Sequence, residues 1–336
     1  MAINILIPMA GLGKRFQQEG YILPKPLVKV MGVSIFEKLL QCLDLQPTDN
    51  LYIPHVKCFD SLWFLEILKK YVGRIKVYDD LGNLKLSASG IGKNNCIIIE
   101  LALPTHGAAE TLLISSEFMN MDLPLLSLDC DNVYSKSPID LVRNCKTCGI
   151  FYFPDKQPNP IYSYILTDYC LNILDIKEKD KISDMACSGG YFFISTCMAA
   201  KYAKMVVNSR VRGKEIYISS IYKSMLPIET IIGIEAIPQS FGVPMAVELY
   251  SKTTKSDRQL VFCYDLDSTI FSPPLDNNYS TCVPIMENIR HLRYVSSLGH
   301  KIIIHTAKGM LSLSGNVENI EKTYRIQIEE MLERFF

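Results

Sequence analysis

At 336 residues the chain is long for one domain and comfortable for two. Its 35 Lys and Arg balance 35 Asp and Glu, so no overall field favours nucleic acid or an anionic membrane, and any anion binding must be local. Its 11 cysteines are scattered, several inside apolar runs, which reads as buried reduced thiols rather than a disulfide framework. The one CxxC, Cys145 to Cys148, has no second pair, so zinc is not expected. No run approaches the roughly 18 apolar residues of a membrane span, and no charged segment precedes a signal-like stretch. A soluble, cytoplasmic protein is expected, with no membrane insertion and no nucleic-acid partner. A homo-oligomer is compatible with the sequence, which does not name the oligomeric state.

The apolar run Ile3 to Ile7 reads as a short buried strand, and Met9-Ala10-Gly11-Leu12-Gly13-Lys14-Arg15-Phe16 as a glycine turn after it. Gly11 and Gly13 carry no Cβ, so the backbone can bring N–H groups close to an anion. Lys14, Arg15 and Lys25 add positive charge there. A Walker loop is excluded because no Gly-Lys-Ser/Thr follows, and a dinucleotide fingerprint because Phe16 stands where its third glycine belongs. By itself the stretch also fits an ordinary strand and turn.

Val28 to Gly32 reads as a brief strand and turn, and Ser34 with Glu37 has the capping-box offset ahead of a helix from Ile35. A strand is expected at Leu51–Pro54, a helix at Leu62–Tyr71, a strand at Ile75–Tyr78 and a loop from Asp79 to Asn95. Cys96–Leu101 reads as a strand before Thr105-His106-Gly107-Ala108-Ala109-Glu110. Leu123–Leu128 is a further strand, ending in Asp129-Cys130-Asp131-Asn132. Strands alternating with helices argue α/β: a mixed, mostly parallel sheet covered on both faces. Two carboxylates at i and i+2 of a strand end project into the ligand crevice and suit Mg²⁺, although an Asp there is often only a turn former or cap. Later strands are expected at Gly149–Phe153, Tyr162–Leu166, Ile173–Lys177 and Ile231–Ile237, and a helix from Glu215 to Tyr222.

Gly11-x-Gly13-x-Arg15-Phe16 with Pro24-Lys25-Pro26-Leu27 resembles the signature of the sugar-1-phosphate nucleotidyltransferases, and further motifs follow in that family's order over about residues 1 to 250. The resemblance implies a Rossmann-like nucleotidyltransferase fold. It implies nucleotide binding by Met9, Ala10, Gly11, Leu12, Gly13 and Lys14, with Gly107 under the base. Lys25, Arg15 and Asp131 would be catalytic, and Mg²⁺ would be held by Asp131, with Asp129 the weaker candidate. Glu178, Lys179 and Gly190 would hold the acceptor. Ser240 stands where many members of the family carry a second metal-binding aspartate, which leaves that ligand open. The implied partners are a nucleoside triphosphate and a small phosphorylated acceptor.

Residues 251–258 are polar and suit a linker. Beyond them, Asp265-Leu266-Asp267-Ser268-Thr269 after an apolar strand resembles the haloacid dehalogenase-like (HAD-like) phosphatases of the capsule-biosynthesis type. The resemblance implies Asp265 as nucleophile, Asp267 as acid/base and Thr306 as phosphate ligand. Ile320–Phe336 reads as an amphipathic helix with Ile320, Tyr324, Ile328, Met331 and Leu332 on one stripe. That family's third and fourth motifs lie beyond such a helix, so residues 259–336 are expected to form a partial HAD-like domain. The implied activity is Mg-dependent nucleotidyl transfer of the EC 2.7.7 type, yielding a nucleotide-sugar for capsule or surface polysaccharide. The alternatives are a phosphohydrolase with a nucleotide-binding N-terminal domain and a non-catalytic nucleotide-sugar sensor.

Overall fold

The computed structural model describes residues 1–21, 23–211, 213–254, 260–275, 281–297, 299–308, 310 and 313–334. The chain divides into two compact units, Met1–Val247 and Glu248–Phe336. In the first, strand Asn4–Leu6 pairs parallel with Asn50–Val56 on one side and Leu125–Leu128 on the other. Asn95–Leu101 and then Arg74–Asp79 continue the parallel run. Beyond Leu125–Leu128 the sheet turns antiparallel through Met185–Phe193, Ser163–Thr167 and Ile173–Glu178. Cys148–Pro154 branches from Met185–Phe193 and carries Ile231–Glu235 in parallel.

Alternation along the central strands builds a core on each face. Ile3, Ile5 and Ile7 enter one core with Leu51 and Ile53, while Leu6 and Tyr52 enter the other. The first core is covered by helices Ile35–Cys42 and Ser61–Leu68, through Phe36, Leu39, Phe64 and Leu68. The second is covered by Ala108–Ser116, Thr196–Asn208 and Ile218–Met225, through Leu112, Tyr202 and Tyr222. This is the mixed α/β sheet that the strand–helix alternation implies, in the Rossmann-like form that the motif resemblance implies.

Several local expectations change. The segment from Asp79 to Asn95 is not all loop: Leu84–Ser89 is an antiparallel edge strand on Arg74–Asp79. Its side chains are mostly exposed, so it lacks the apolar alternation of a half-buried strand and is held mainly by backbone pairing, with Ala88 against the core and Lys85 3.1 Å from Asp79. The turn before it is built by Asp79, whose carboxylate accepts from the backbone N–H of Leu81 and Asn83. The helix expected from Glu215 begins at Ile218, and residues 214–217 are irregular. Ser34 Oγ does accept from Glu37 N at 3.1 Å, but the Glu37 carboxylate turns away to Lys70, 2.9 Å distant. The capping box is therefore only half made.

The polar stretch expected as a linker begins inside helix Pro244–Thr253, and residues 255–258 lie outside the described residues. In the second unit, strands Val261–Asp265 and Lys301–His305 pair in parallel. Helix Met286–Ser297 contributes Ile289 and Leu292 to a small core with Leu266, Ile270 and Phe271. Ile328, Met331 and Leu332 pack against it from the last helix, as their stripe implies. That helix is interrupted by a wider turn at Glu321–Arg325, and Phe335 and Phe336 lie outside the described residues.

Gly107 precedes helix Ala108–Ser116 at φ +145°, and a Cβ there would fall 2.3 Å from the backbone oxygen of Ile216. Ala109 N donates to that oxygen at 3.1 Å, so the approach is fixed. Chain packing alone thus demands glycine at this position. Gly107→Ala is expected to destabilise the ligand-free protein by about 3 kcal/mol, read from urea or thermal unfolding, because both backbone strain and overlap are imposed.

Candidate functional site

The C-terminal ends of the central parallel strands gather the charged residues that the sequence singles out. The first strand leads into Met9 and Ala10, both buried, with Met9 N donating to Pro54 O at 2.8 Å. Gly13 turns the chain at φ +65°, and a Cβ there would lie 3.2 Å from the Lys25 Cβ. Phe16 is buried and anchors the short helix Lys14–Gln18 edge-on against Tyr21, which leaves Lys14 and Arg15 exposed. Leu12 packs at the edge of the first core. The glycine loop thus lies over Lys25, with two further cations on its outer side.

Lys25 Nζ donates to Asp131 Oδ2 in an ion pair whose two side chains are 22% and 15% exposed. Burial works against the charged ammonium, but Asp131 foremost among the neighbouring acidic groups holds its pKa above the ordinary lysine value. Asp129, two residues earlier at the end of Leu125–Leu128, has its pKa raised by burial first and then by the Asp131 charge, with Glu178 adding to the effect. Asp129 and Asp131 are therefore electrostatic neighbours.

Two glycines make room for these carboxylates. A Cβ on Gly189, at φ +79°, would sit 2.5 Å from both Asp129 Oδ2 and Asn132 Nδ2, and one on Gly242 would sit 3.0 Å from Asp131 Oδ2. Ser240 pairs with Asn132 in the ladder Pro238–Ser240 against Asn132–Tyr134, and Phe241 N donates to Asp131 O at 2.7 Å. Ser240-Phe241-Gly242 is thus beside Asp131. Gly190 has a packing reason of its own, since a Cβ there would fall 2.1 Å from the Phe151 ring.

At the other end of the site Glu178 closes strand Ile173–Glu178. Its Oε2 accepts from Ser163 Oγ and, at 3.1 Å, from Ser219 Oγ. Lys179 Nζ donates to the Tyr217 hydroxyl at 3.0 Å. Tyr217 and Ser219 lie about forty positions further along the chain, and no local pattern marks them. The helix start Ile216-Tyr217-Ile218-Ser219 has Tyr217 at the cap position and no side-chain capping bond, so even a capping signal is missing.

In the second unit Asp265 ends Val261–Asp265, and Thr306 Oγ1 donates to Asp267 Oδ2 at 3.2 Å from the neighbouring strand end. Lys308 N donates to Thr306 Oγ1 at 3.0 Å, and Lys308 Nζ lies 5.4 Å from the Tyr324 ring centre. Ser268 takes the left-handed conformation, φ +60°, that glycine adopts more readily.

No protein-family model and no curated protein sequence matches the chain. Solved structures do. A nucleoside-diphosphate-sugar pyrophosphorylase from Vibrio cholerae RC9 is 17% identical with TM-score 0.55, covering 73% of this chain and 97% of its own. A UDP-glucose pyrophosphorylase solved with UDP-glucose is 14% identical with TM-score 0.58, covering 76% of this chain and 100% of its own. An inositol-1-phosphate CTP transferase from T. maritima is 10% identical with TM-score 0.52, covering 72% and 90%. These structural neighbours are nucleotidyltransferases, and at such identities the likeness shows a common fold.

The raised Asp129 pKa gives a pH test. The native carboxyl holds its proton more tightly than an unfolded aspartate, whose pKa is about 3.9. Its contribution to stability is therefore fully present below that value and is lost as pH rises through the folded pKa. In magnesium-free buffer, Asp129→Asn is expected to stabilise the protein at neutral pH and not in acid. The gain is about 1.4 kcal/mol for each tenfold difference in proton affinity, measured by unfolding across pH.

Proposed function

We propose that the N-terminal unit transfers a nucleotidyl group. A small phosphomonoester, of which a sugar 1-phosphate is the expected case, attacks the α-phosphorus of a nucleoside triphosphate, and pyrophosphate leaves. The observation that carries this reading is the Lys25–Asp131 pair, packed against the glycine loop at Gly13 and within electrostatic reach of Asp129, which Glu178 also influences. Two anionic reactants need neutralisation and alignment more than they need a protein nucleophile. The loop with Lys14 and Arg15 would hold the triphosphate, and Lys25 would meet the charge that grows at the α-phosphate. Glu178 would accept from acceptor hydroxyls, and Lys179 would face the acceptor phosphate.

The residues fit Mg²⁺. Asp129 and Asp131 offer carboxylate oxygens, and Asn132 Oδ1 is buried with no hydrogen-bond partner. Among the described residues no three His, Cys, Asp or Glu side chains form a metal cluster. Two carboxylates with water and substrate phosphates is nevertheless the usual magnesium pattern, because this ion keeps much of its hydration. When bound, the ion would neutralise phosphate charge and offset the repulsion between Asp129 and Asp131. Lys25 holds Asp131 in the ligand-free state.

The test is pyrophosphate release with CTP, GTP, UTP, ATP and dTTP against sugar 1-phosphates and inositol 1-phosphate, with and without Mg²⁺. Lys25→Ala and Asp131→Ala are each expected to lower kcat by about 100-fold or more, with the folded protein confirmed by circular dichroism. Full activity in either variant would sink the assignment. Orthophosphate release that disappears with Asp265→Asn would point instead to phosphohydrolase chemistry in the C-terminal unit.

A further inference from the structure

Lys179 stands in an unusual place for a long, flexible side chain. Its backbone φ is +53°, a conformation L residues seldom adopt, and its N–H donates to Tyr162 O at 2.8 Å across the end of the hairpin. The strained turn aims an exposed side chain at the segment before helix Ile218–Met225. There the ammonium donates to the Tyr217 hydroxyl at 3.0 Å and lies 5.0 Å from the centre of the Tyr217 ring. Ser219, two residues on, holds the Glu178 carboxylate at 3.1 Å. One helix start therefore grips both members of the Glu178–Lys179 pair.

That helix start is itself fixed. Tyr222, one turn on, is fully buried, and its hydroxyl bonds Phe192 O at 2.7 Å. Lys223 pairs with Asp175 on the strand that ends in Glu178. Tyr217 is therefore a fixed support for the Lys179 amine. Its own phenol is raised by burial, and it remains a neutral hydroxyl able to accept from an ammonium at neutral pH.

We infer that Tyr217 is a positioning residue: it presents the Lys179 ammonium to the phosphate of the acceptor by holding one N–H and shielding one side of the side chain. The other ammonium protons face the substrate. This deepens the reading given above and rests on it for the identity of the anion, a phosphomonoester. An unheld lysine loses its rotamer freedom when the acceptor binds, and a held one has already lost it.

Two measurements test the inference. The first needs no substrate: acetylation by N-hydroxysuccinimidyl acetate, with Lys179 followed by peptide mass spectrometry. Tyr217→Phe keeps the ring and removes the acceptor oxygen, so Lys179 is expected to react about 3- to 10-fold faster while lysines elsewhere in the unit keep their rates. An unchanged Lys179 rate overturns the proposal. The second uses the triphosphate and acceptor pair that the pyrophosphate assay picks out. Tyr217→Phe is expected to raise the acceptor KM by about 3- to 10-fold, with kcat and the triphosphate KM unchanged. In a Lys179→Ala background it should have no further effect, because the residue it acts through is gone. A fall in kcat at constant acceptor KM, or an equal loss in both backgrounds, overturns it. If wild-type protein releases no pyrophosphate with any pair, the nucleotidyl-transfer reading fails, and the acetylation rate alone decides the Lys179–Tyr217 contact.

Discussion

The N-terminal unit depends on the burial of one short strand on both faces. Asn4–Leu6 has three residues, yet it is the parallel partner of both Asn50–Val56 and Leu125–Leu128. Ile5 points into one core and Leu6 into the other. Even the polar Asn4 is fully buried, and its side-chain amide donates to Asn120 O at 2.8 Å and to Thr196 Oγ1 at 2.9 Å. A strand fixed from both faces and both edges cannot slip in register without moving apolar side chains into the wrong layer. Its end is therefore a fixed point. The glycine loop leaves from it, and Asp129 and Asp131 leave from the adjacent strand end, so cation and carboxylate meet by construction.

The site that results crowds carboxylates together. Asp129 lies within electrostatic reach of both Asp131 and Glu178, and Lys25 is set against Asp131 and Asp129. Lys14, Arg15 and Lys179 stay at the solvent side, each placed by a neighbour that is itself anchored: Phe16 for the first two and Tyr217 for the third. Crowding carboxylates at a strand end gives up stability that the rest of the fold must supply. The glycines at 189 and 242 belong to the same logic, because a Cβ at either would occupy the carboxylates' space.

Much of this is legible in sequence. The runs Ile3–Ile7, Cys96–Leu101 and Leu123–Leu128 are too apolar for edge strands and are found at the centre of the sheet, and Ser34 caps the helix it precedes. Leu84–Ser89 escapes because an edge strand with mostly exposed side chains leaves no apolar alternation to read. Helix Thr196–Asn208 is hard to read from sequence, although Ser195 caps it through Met198 N at 3.1 Å and Ala199, Ala200, Tyr202 and Ala203 form its buried stripe. Its signal is present but diluted by alanine, which is weakly apolar. Gly107 and Gly190 show the reverse limit: sequence marks both as necessary, while packing against Ile216 and Phe151 supplies a reason that involves no ligand.

Sequence by itself therefore determined the α/β class, the order of the central strands' apolar runs and the residue types at their ends, because burial patterns and charge are local properties of the chain. Tertiary structure decided which of those ends meet. Lys25 faces Asp131 across 106 positions, Ser219 holds Glu178 across 41, and Tyr217 holds Lys179 across 38. Contacts at such separations follow from sheet order and helix placement, which no window of sequence contains. The chemistry of the site was written locally, and its geometry came from closing the sheet.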